Sequence, residues 1–469
     1  MIQNLIPSLR RAARWIWRHL KRAVLVLAIP LLTVLAVLYA KSEQIVLGAE
    51  AYIYGYPLVI TDVTRANSAL SIGPENQLRR VRQFPDASFK DVVRPNVDTL
   101  YTNAFIDTAK GPWVFEMAAN EQRYEVMAFM DAWTNVLAAP GTRMNGTAGG
   151  TYLLVGPNWQ GSLPTGMVLM RSPTRMVWLI GRTQTNGVAD YPLVHRLQDG
   201  LRLRSLVDWQ AGATEKNIAW QASSVAPIPA PQQMKQMLTY DFFMRLALLM
   251  AHNPPTALDG PMVAKLARLG ITAGQTPHWT WLDRQSTALG RLIADWTVAK
   301  ELKKPRDLVR GWSTPPSVLG NYATFYNIRA VVAMVGLGAN LPVDATYPNT
   351  QVDSSGMRLH GKHSYRLHFK AGELPPVHAF WSVTAYGPDD LLIDNPLKRF
   401  ALGDRDKLQA NADGSLDIWI QATKPKEQLV SNWLPVKDGE AFVLNARLYW
   451  PKASALDGSW GMPSVERLD

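Results

Sequence analysis

The sequence predicts an α+β fold, mostly β: two β-sandwich or jelly-roll-like units with a helical section between them, behind an N-terminal transmembrane helix. Three patterns carry that expectation. Short apolar runs separated by turn residues recur over residues 113–183 and return after Tyr347, as strands of a sandwich or barrel do. Between these regions the apolar spacing changes to the helical i, i+3/i+4 period. Ahead of both stands one long stretch without charge.

That stretch is Ala23 to Ala40, AVLVLAIPLLTVLAVLYA, 18 residues. As a helix it spans about 27 Å, close to the hydrocarbon thickness of a bilayer. Pro30 is tolerated in such a helix. The preceding RRAARWIWRHLKR is basic and carries Trp15 and Trp17; basic flanks stay cytoplasmic and tryptophans favour the headgroup zone. The expected topology is a cytoplasmic segment over 1–22, a membrane anchor over 23–40 and the bulk in the periplasm of a bacterial cell, single-pass in the inner membrane. A cleaved signal peptide is the competitor, but its apolar region is shorter, and Leu38 stands where its cleavage site wants a small residue.

Residues 44–70 read as a helix with Tyr52 and Tyr56 one turn apart. A proline- and charge-punctuated loop follows to about residue 98, and then the strand runs WVFEM, RYEVMAFM, TYLLVGP, GMVLM and RMVWLIGRT. Residues 190–206, 232–252, 258–270, 282–303 and 319–338 suit helices, with Met234, Met237, Leu238, Phe242, Leu246 and Leu249 on one buried face of the second. APIPAP at 226–231 reads as a stiff lead-in. YRLHF, HAFWSVTAY, SLDIWIQ and AFVLNARLYW restore the strand pattern. In the last, Phe442, Leu444, Ala446 and Leu448 share one face and Asn445, Arg447 and Tyr449 the other. The expected units are a β-rich domain over 44–206, a helical connection over 207–345 and a β-sandwich over 346–469.

Composition excludes several classes. In 469 residues, 47% are hydrophobic and 19% charged, which is no disordered chain. The absence of cysteine removes disulfides, thiolate metal sites and cysteine nucleophiles. Of the net charge of +11, seven basic residues fall within 1–41, leaving 42 basic against 38 acidic, or +4, downstream. Nucleic acid is therefore not an expected partner.

Several segments resemble a known pair of bacterial domains. AYIYGYPLV (51–59), FPDASFKDVVRPNVDTLYTNAFID (84–107), DAWTNV (131–136) and TYLLVGPNW (151–159) are similar to the domain of unknown function numbered 1254. FWSVTAY (380–386), NADGSLDIWIQ (411–421), NWLPV (432–436) and FVLNARLYWP (442–451) resemble its usual C-terminal partner, numbered 1214. The resemblance implies two β-sandwich-like domains joined through helices and brings no activity. Family members often carry a histidine before FPDA, where this chain has Arg80.

The densest polar constellation is RPNVDTLY with DAWTN. Arg94, Asn96, Tyr101, Trp133 and Asn135 are the candidate ligand-binding residues. Asp98 and Asp131 are candidate general acid and base if they face each other, each shifting the other's pKa. Pro95 biases Arg94 to extended backbone, and the alternate spacing of Asp131, Trp133 and Asn135 puts all three on one face if the strand continues. The same residue types also commonly satisfy buried backbone groups at strand ends. His360, His363, His368 and His378 lack a metal-ligand spacing, and no metal is expected. No HExxH, GxSxG, GxGxxG or P-loop is present, so no cofactor is expected. Three functions fit: a periplasmic hydrolase of a small polar or amphipathic substrate, a non-enzymatic binder of an envelope metabolite, glycan or lipid, and a structural partner in an envelope complex. Enzyme status and oligomeric state stay open.

Overall fold

The structure, a computed structural model, describes residues 15, 17–19, 29–90, 93–120, 122–215, 220–303 and 308–469. In its first half, alternating side chains build β1 (Arg79–Arg80), β2 (Thr99–Asp107), β3 (Trp113–Met117), β4 (Glu125–Asp131), β5 (Val136–Ala138), β6 (Gly150–Val155), β7 (Val168–Arg171), β8 (Met176–Gln184) and β9 (Arg202–Ser205). They form two sheets, β1-β2-β8-β4-β5 and β7-β6-β3-β9. Ala104, Met127, Phe129, Val177 and Leu179 of the first share one core with Phe115, Tyr152, Leu154 and Leu203 of the second. Period two then sends Tyr101, Phe105, Trp178, Ile180 and Arg182 to the outer face of the first sheet.

The second half adds β10 (Leu308–Val309), β11 (Trp312–Ser313), β12 (Ala345–Thr346), β13 (Asn349–Thr350), β14 (Tyr365–Phe369), β15 (Val377–Tyr386), β16 (Ala401–Gly403), β17 (Leu416–Gln421), β18 (Trp433–Pro435), β19 (Val443–Pro451) and β20 (Val465–Arg467). The sheet β10-β11-β13-β19-β15-β16, with β12 also on β19, lies against β18-β17-β14-β20. Trp381, Val383, Leu444, Ala446 and Leu448 meet Leu367, Ile418 and Ile420 in the core between them. β6–β7 and β17–β18 run parallel, and every other described pair is antiparallel. The architecture is mixed α+β, with antiparallel sheets and helices between them and, among the described residues, no closed barrel.

From residue 29 on, the described α-helices are α1 (Ile29–Ala40), α2 (Ser42–Ser71), α3 (Thr142–Asn145), α4 (Tyr191–Asp199), α5 (Leu206–Gln210), α6 (Ala230–Gln236), α7 (Thr239–Met250), α8 (Gly260–Arg268), α9 (Trp281–Lys303), α10 (Tyr326–Val335) and α11 (Ala453–Leu456). α2 is buried from Ala51 to Val63, and its core includes Phe242, Leu246, Leu266, Ala294, Ala330 and, from the first sheet, Phe105. It runs parallel to α9: Lys41 and Gln44 bind Asp283 near the start of α9, and Tyr52 lies 5.1 Å from the Arg291 guanidinium further along. Gly290 permits this close approach, since a Cβ there would stand 2.4 Å from the Ile45 carbonyl.

Three expected helices differ. The one over 190–206 ends at Asp199, and the chain continues after Gly200 as β9, which buries Leu203 against β3. The one over 232–252 is two helices, because Met237 and Leu238 turn extended; Met234, Phe242 and Leu246 are buried, but Leu238 is 69% exposed. The one over 319–338 shortens to α10.

Among the described residues no single helix is long and apolar enough to cross a membrane. α1 and α2 pass that test only as a pair, bent by 55°. Ala23 to Ala28 of the expected anchor lie outside the described residues. In the part that is described, Ile29, Leu31, Leu32, Val34, Leu35 and Leu38 are all exposed, unlike the buried body of α2.

Candidate functional site

The polar stripe that period two creates on β15 and β19 turns away from its own core and faces the N-terminal sheets. Phe380 stacks on Tyr449 at 4.3 Å, and both meet Tyr124 of the N-terminal half. Beside this aromatic plug the seam is polar. Ser382, Thr384, Asn445 and Arg447 are all buried.

Asp98 and Asn96 enter the seam from the N-terminal side. Asp98 is 1% exposed. Its carboxylate accepts from Ser382 Oγ at 2.7 Å and from Arg405, and Arg447 Nη1 stands 4.0 Å away. The Arg405 guanidinium lies 4.2 Å from the centre of the Phe380 ring. The Asn96 amide donates to Thr99 and to the hydroxyls of Tyr101 (3.3 Å) and Tyr449 (2.9 Å), while its oxygen accepts from the Asp98 N–H. Arg94 is not extended. Its φ is +50°, because its N–H and Nε both bind Asp390 and its carbonyl accepts from Arg447. That network outweighs the bias from Pro95.

Arg182 is a further buried cation, on the N-terminal side. β8 places it directly between Tyr101 of β2 and Val126 of β4. Its guanidinium donates to Asn340 Oδ1 (2.5 Å) and to the Gly338 carbonyl (3.0 Å), and lies 5.2 Å from the Tyr101 ring. Gly338 is at φ +88°, where a Cβ would come within 2.5 Å of Ile180. This lets the loop after α10 lie on the sheet. Arg182 has no carboxylate within ion-pair distance among the described residues, and its Nε is buried without a partner. Burial pushes the Tyr101 phenol up, but the Arg182 charge and the Asn96 amide outweigh it and hold the phenol below its usual value. On this outer face Tyr101, Val136 and Trp178 are partly buried and pack against buried Ala128, Met130 and Ile180.

Asp131 lies elsewhere. It pairs with Val177 on β8, whereas the Asp98 carbonyl binds the N–H of Thr185, eight residues along the same strand direction. That is a separation of roughly 26 Å at the strand rise. The expected acid–base pair is therefore not assembled. Nor do Asp131, Trp133 and Asn135 share an extended face. The chain turns at Thr134 (φ +72°), and the Asp131 carboxylate accepts the N–H groups of Trp133 and Asn135 and the Asn135 amide. Burial raises the Asp131 pKa despite these bonds. Trp133 is buried, donates to the Asn253 carbonyl and forms with Tyr54 and Tyr326 a cage whose rings each lie 5.3 Å from the Arg329 guanidinium.

The structure thus brings Arg94, Asn96, Asp98 and Tyr101 together at the seam and places Asp131, Trp133 and Asn135 at the far end of the sheet. Arg182, Arg405, Ser382, Asn340 and Arg329 lie outside the polar constellation that the sequence marks. A signal existed for Arg182, which is a charge in register with Trp178 and Ile180 on an otherwise apolar strand. The histidines disperse: His363 pairs with Asp469, His368 with Asp417 at 2.7 Å, and His378 lies tilted against the Trp450 ring. No three metal-ligating side chains converge among the described residues. Arg80 spans β1 to the carbonyls of Gln198 and Leu201 and to Glu215.

Residues 75–205 match the model for a protein of unknown function, DUF1254, and residues 344–453 that for DUF1214. No curated protein matches the chain. The crystal structure of the VPA0106 protein from Vibrio parahaemolyticus is similar, with a TM-score of 0.70 at 24% identity over 91% of this chain and 100% of that one; it bears on the fold alone. A putative uncharacterized protein from Burkholderia cenocepacia gives a TM-score of 0.44 at 13% identity, over 92% of this chain and 95% of its own.

Proposed function

The chain belongs to the family in which a DUF1254 domain precedes a DUF1214 domain, and from that premise we propose a membrane-tethered periplasmic protein that binds a small amphipathic molecule by its anionic end. The observation that carries the reading is Arg182. A buried guanidinium with no ion pair is costly, and an incoming carboxylate or similar anion would relieve that cost through charge-assisted hydrogen bonds. Asn340 and Tyr101 stand beside it as further polar contacts, and Trp178, Val136 and Ile180 continue from it as an apolar floor. Binding is favoured over hydrolysis because Asp98 and Asp131 are far apart and each is engaged in its own hydrogen bonds. The tether rests on the apolar side chains exposed along α1 and on the basic flank before it.

A second reading, a structural seam that only locks the two halves together, is favoured by the saturation of Asp98. A calorimetric titration of medium-chain carboxylates against wild type and Arg182→Gln separates the two. The binding reading expects the variant to lose roughly ten- to hundredfold in affinity, the worth of a hydrogen bond to a charged group. Absence of binding by wild type, together with a more stable Arg182→Met variant, would establish the lock instead. For the tether, the expected result is an intact N-terminus in the membrane fraction with the C-terminus open to protease from the periplasmic side. A mature chain beginning near Lys41 refutes it.

A further inference from the structure

The α1–α2 joint fixes which end of the body is nearest to whatever α1 enters. Lys41, between the two helices, holds Asp283 at 2.7 Å, and Gln44 holds the same carboxylate at 3.0 Å. Thr280 caps Asp283 in turn, accepting from its N–H and donating to its carboxylate. The segment from Pro277 to Arg284 is thereby bolted beside the base of α1.

That segment forms one wall of an open groove of about 340 Å³, lined by Tyr240, Pro277, His278, Trp279, Thr280 and Arg284. The Arg284 guanidinium lies 3.9 Å from the centre of the Tyr240 ring, and Tyr240 packs edge-on against Trp279. Tyr240 is pinned through its hydroxyl to the Pro277 carbonyl, and Trp279 through its indole N–H to that of Leu269. The groove is therefore preformed. Next to the lining residue Thr280, Trp281 is 73% exposed, and Leu238, two residues before Tyr240, is 69% exposed. Arg284 is exposed and has no carboxylate partner among the described residues.

Aromatic rings with one wet edge and an uncompensated arginine, placed beside an exposed apolar helix, have the chemistry of a membrane–water interface. We infer that this groove rests on the bilayer and receives the phosphate of an anionic phospholipid on Arg284, with Trp281 and Leu238 at the level of the headgroups. The inference rests on the tether proposed above but adds a second contact, which orients the body on the bilayer surface.

The test uses the full chain in detergent, in phosphatidylcholine vesicles and in phosphatidylglycerol vesicles, with amide exchange followed in α1 and in residues 278–285. The expected result is slower exchange in 278–285 in phosphatidylglycerol than in either other medium. Arg284→Gln should remove about fivefold of that protection, as expected for the loss of one basic residue at an anionic surface. Trp281→Ser, at an exposed position where folding is not in question, should weaken it in both vesicle types. Protection of α1 with 278–285 unchanged from detergent overturns the groove and leaves the tether standing. Exposure of α1 in vesicles overturns both. Equal protection by inorganic phosphate in detergent makes the groove a soluble-anion site and also overturns the inference.

Discussion

Asp404 stands at the edge of the seam, 4.0 Å from Arg405, and accepts from the Trp381 N–H. Burial pushes its pKa up to about 6, only partly offset by that bond and by Arg405. The raised value fixes the sign of its pH dependence. The fold favours the carboxylic acid over the carboxylate, so its contribution is present below about pH 4 and lost as pH rises through about 6. Asp404→Asn keeps an acceptor for Trp381 without the charge. Its melting temperature relative to wild type is expected to rise between about pH 4 and pH 7, by no more than a few degrees because the side chain is partly exposed. A constant difference across that window would show that Asp404 titrates normally.

The parallel contact of α2 and α9 depends on residues without bulk. A Cβ at Gly290 meets the backbone of α2 at 2.4 Å, whereas one at Gly48 meets Thr287 Cα at 3.2 Å. Gly290→Ala is therefore expected to cost about 1–3 kcal/mol in urea unfolding, as overpacking does, and Gly48→Ala distinctly less. Equal effects would mean that the two helices slide apart freely. Legibility also divides by element. α2 is legible almost to its ends because its apolar residues recur at helical spacing from Ile45 to Val63. The 190–206 helix was read too long because Leu201 and Leu203 continue an apolar pattern that local period alone cannot separate from a strand. The break at Met237–Leu238 carries neither glycine nor proline, so no local signal marks it. The face assignment on β19 was correct, since a two-residue alternation needs no knowledge of the partner.

For the whole molecule the seam is the decisive contact. Arg405 and Arg447 both look to Asp98, and Asp98→Asn leaves two guanidiniums in a buried layer with their shared carboxylate removed. The expected loss is about 3–5 kcal/mol, read by calorimetry as a lower transition temperature; an unchanged temperature would show that solvent already screens the pair. Half of the candidate site was legible and half was not. Asn96, Asp98 and Tyr101 stood out by polar density, and Arg447 and Tyr449 by strand parity. Nothing in the chain announces that Asn96 will bond Tyr449, 353 positions away, because that meeting is decided by how two finished sheets dock.

The joint at Lys41 is a single residue, and its ammonium is clasped by Asp283. There is no leash between α1 and the body. Whatever restrains the first helix restrains everything after it, at one height and within a narrow range of headings. On the proposed tether, such a molecule would not sweep a volume in search of a target. Its reach would be about its own radius, and whatever it binds would have to arrive along the lipid surface.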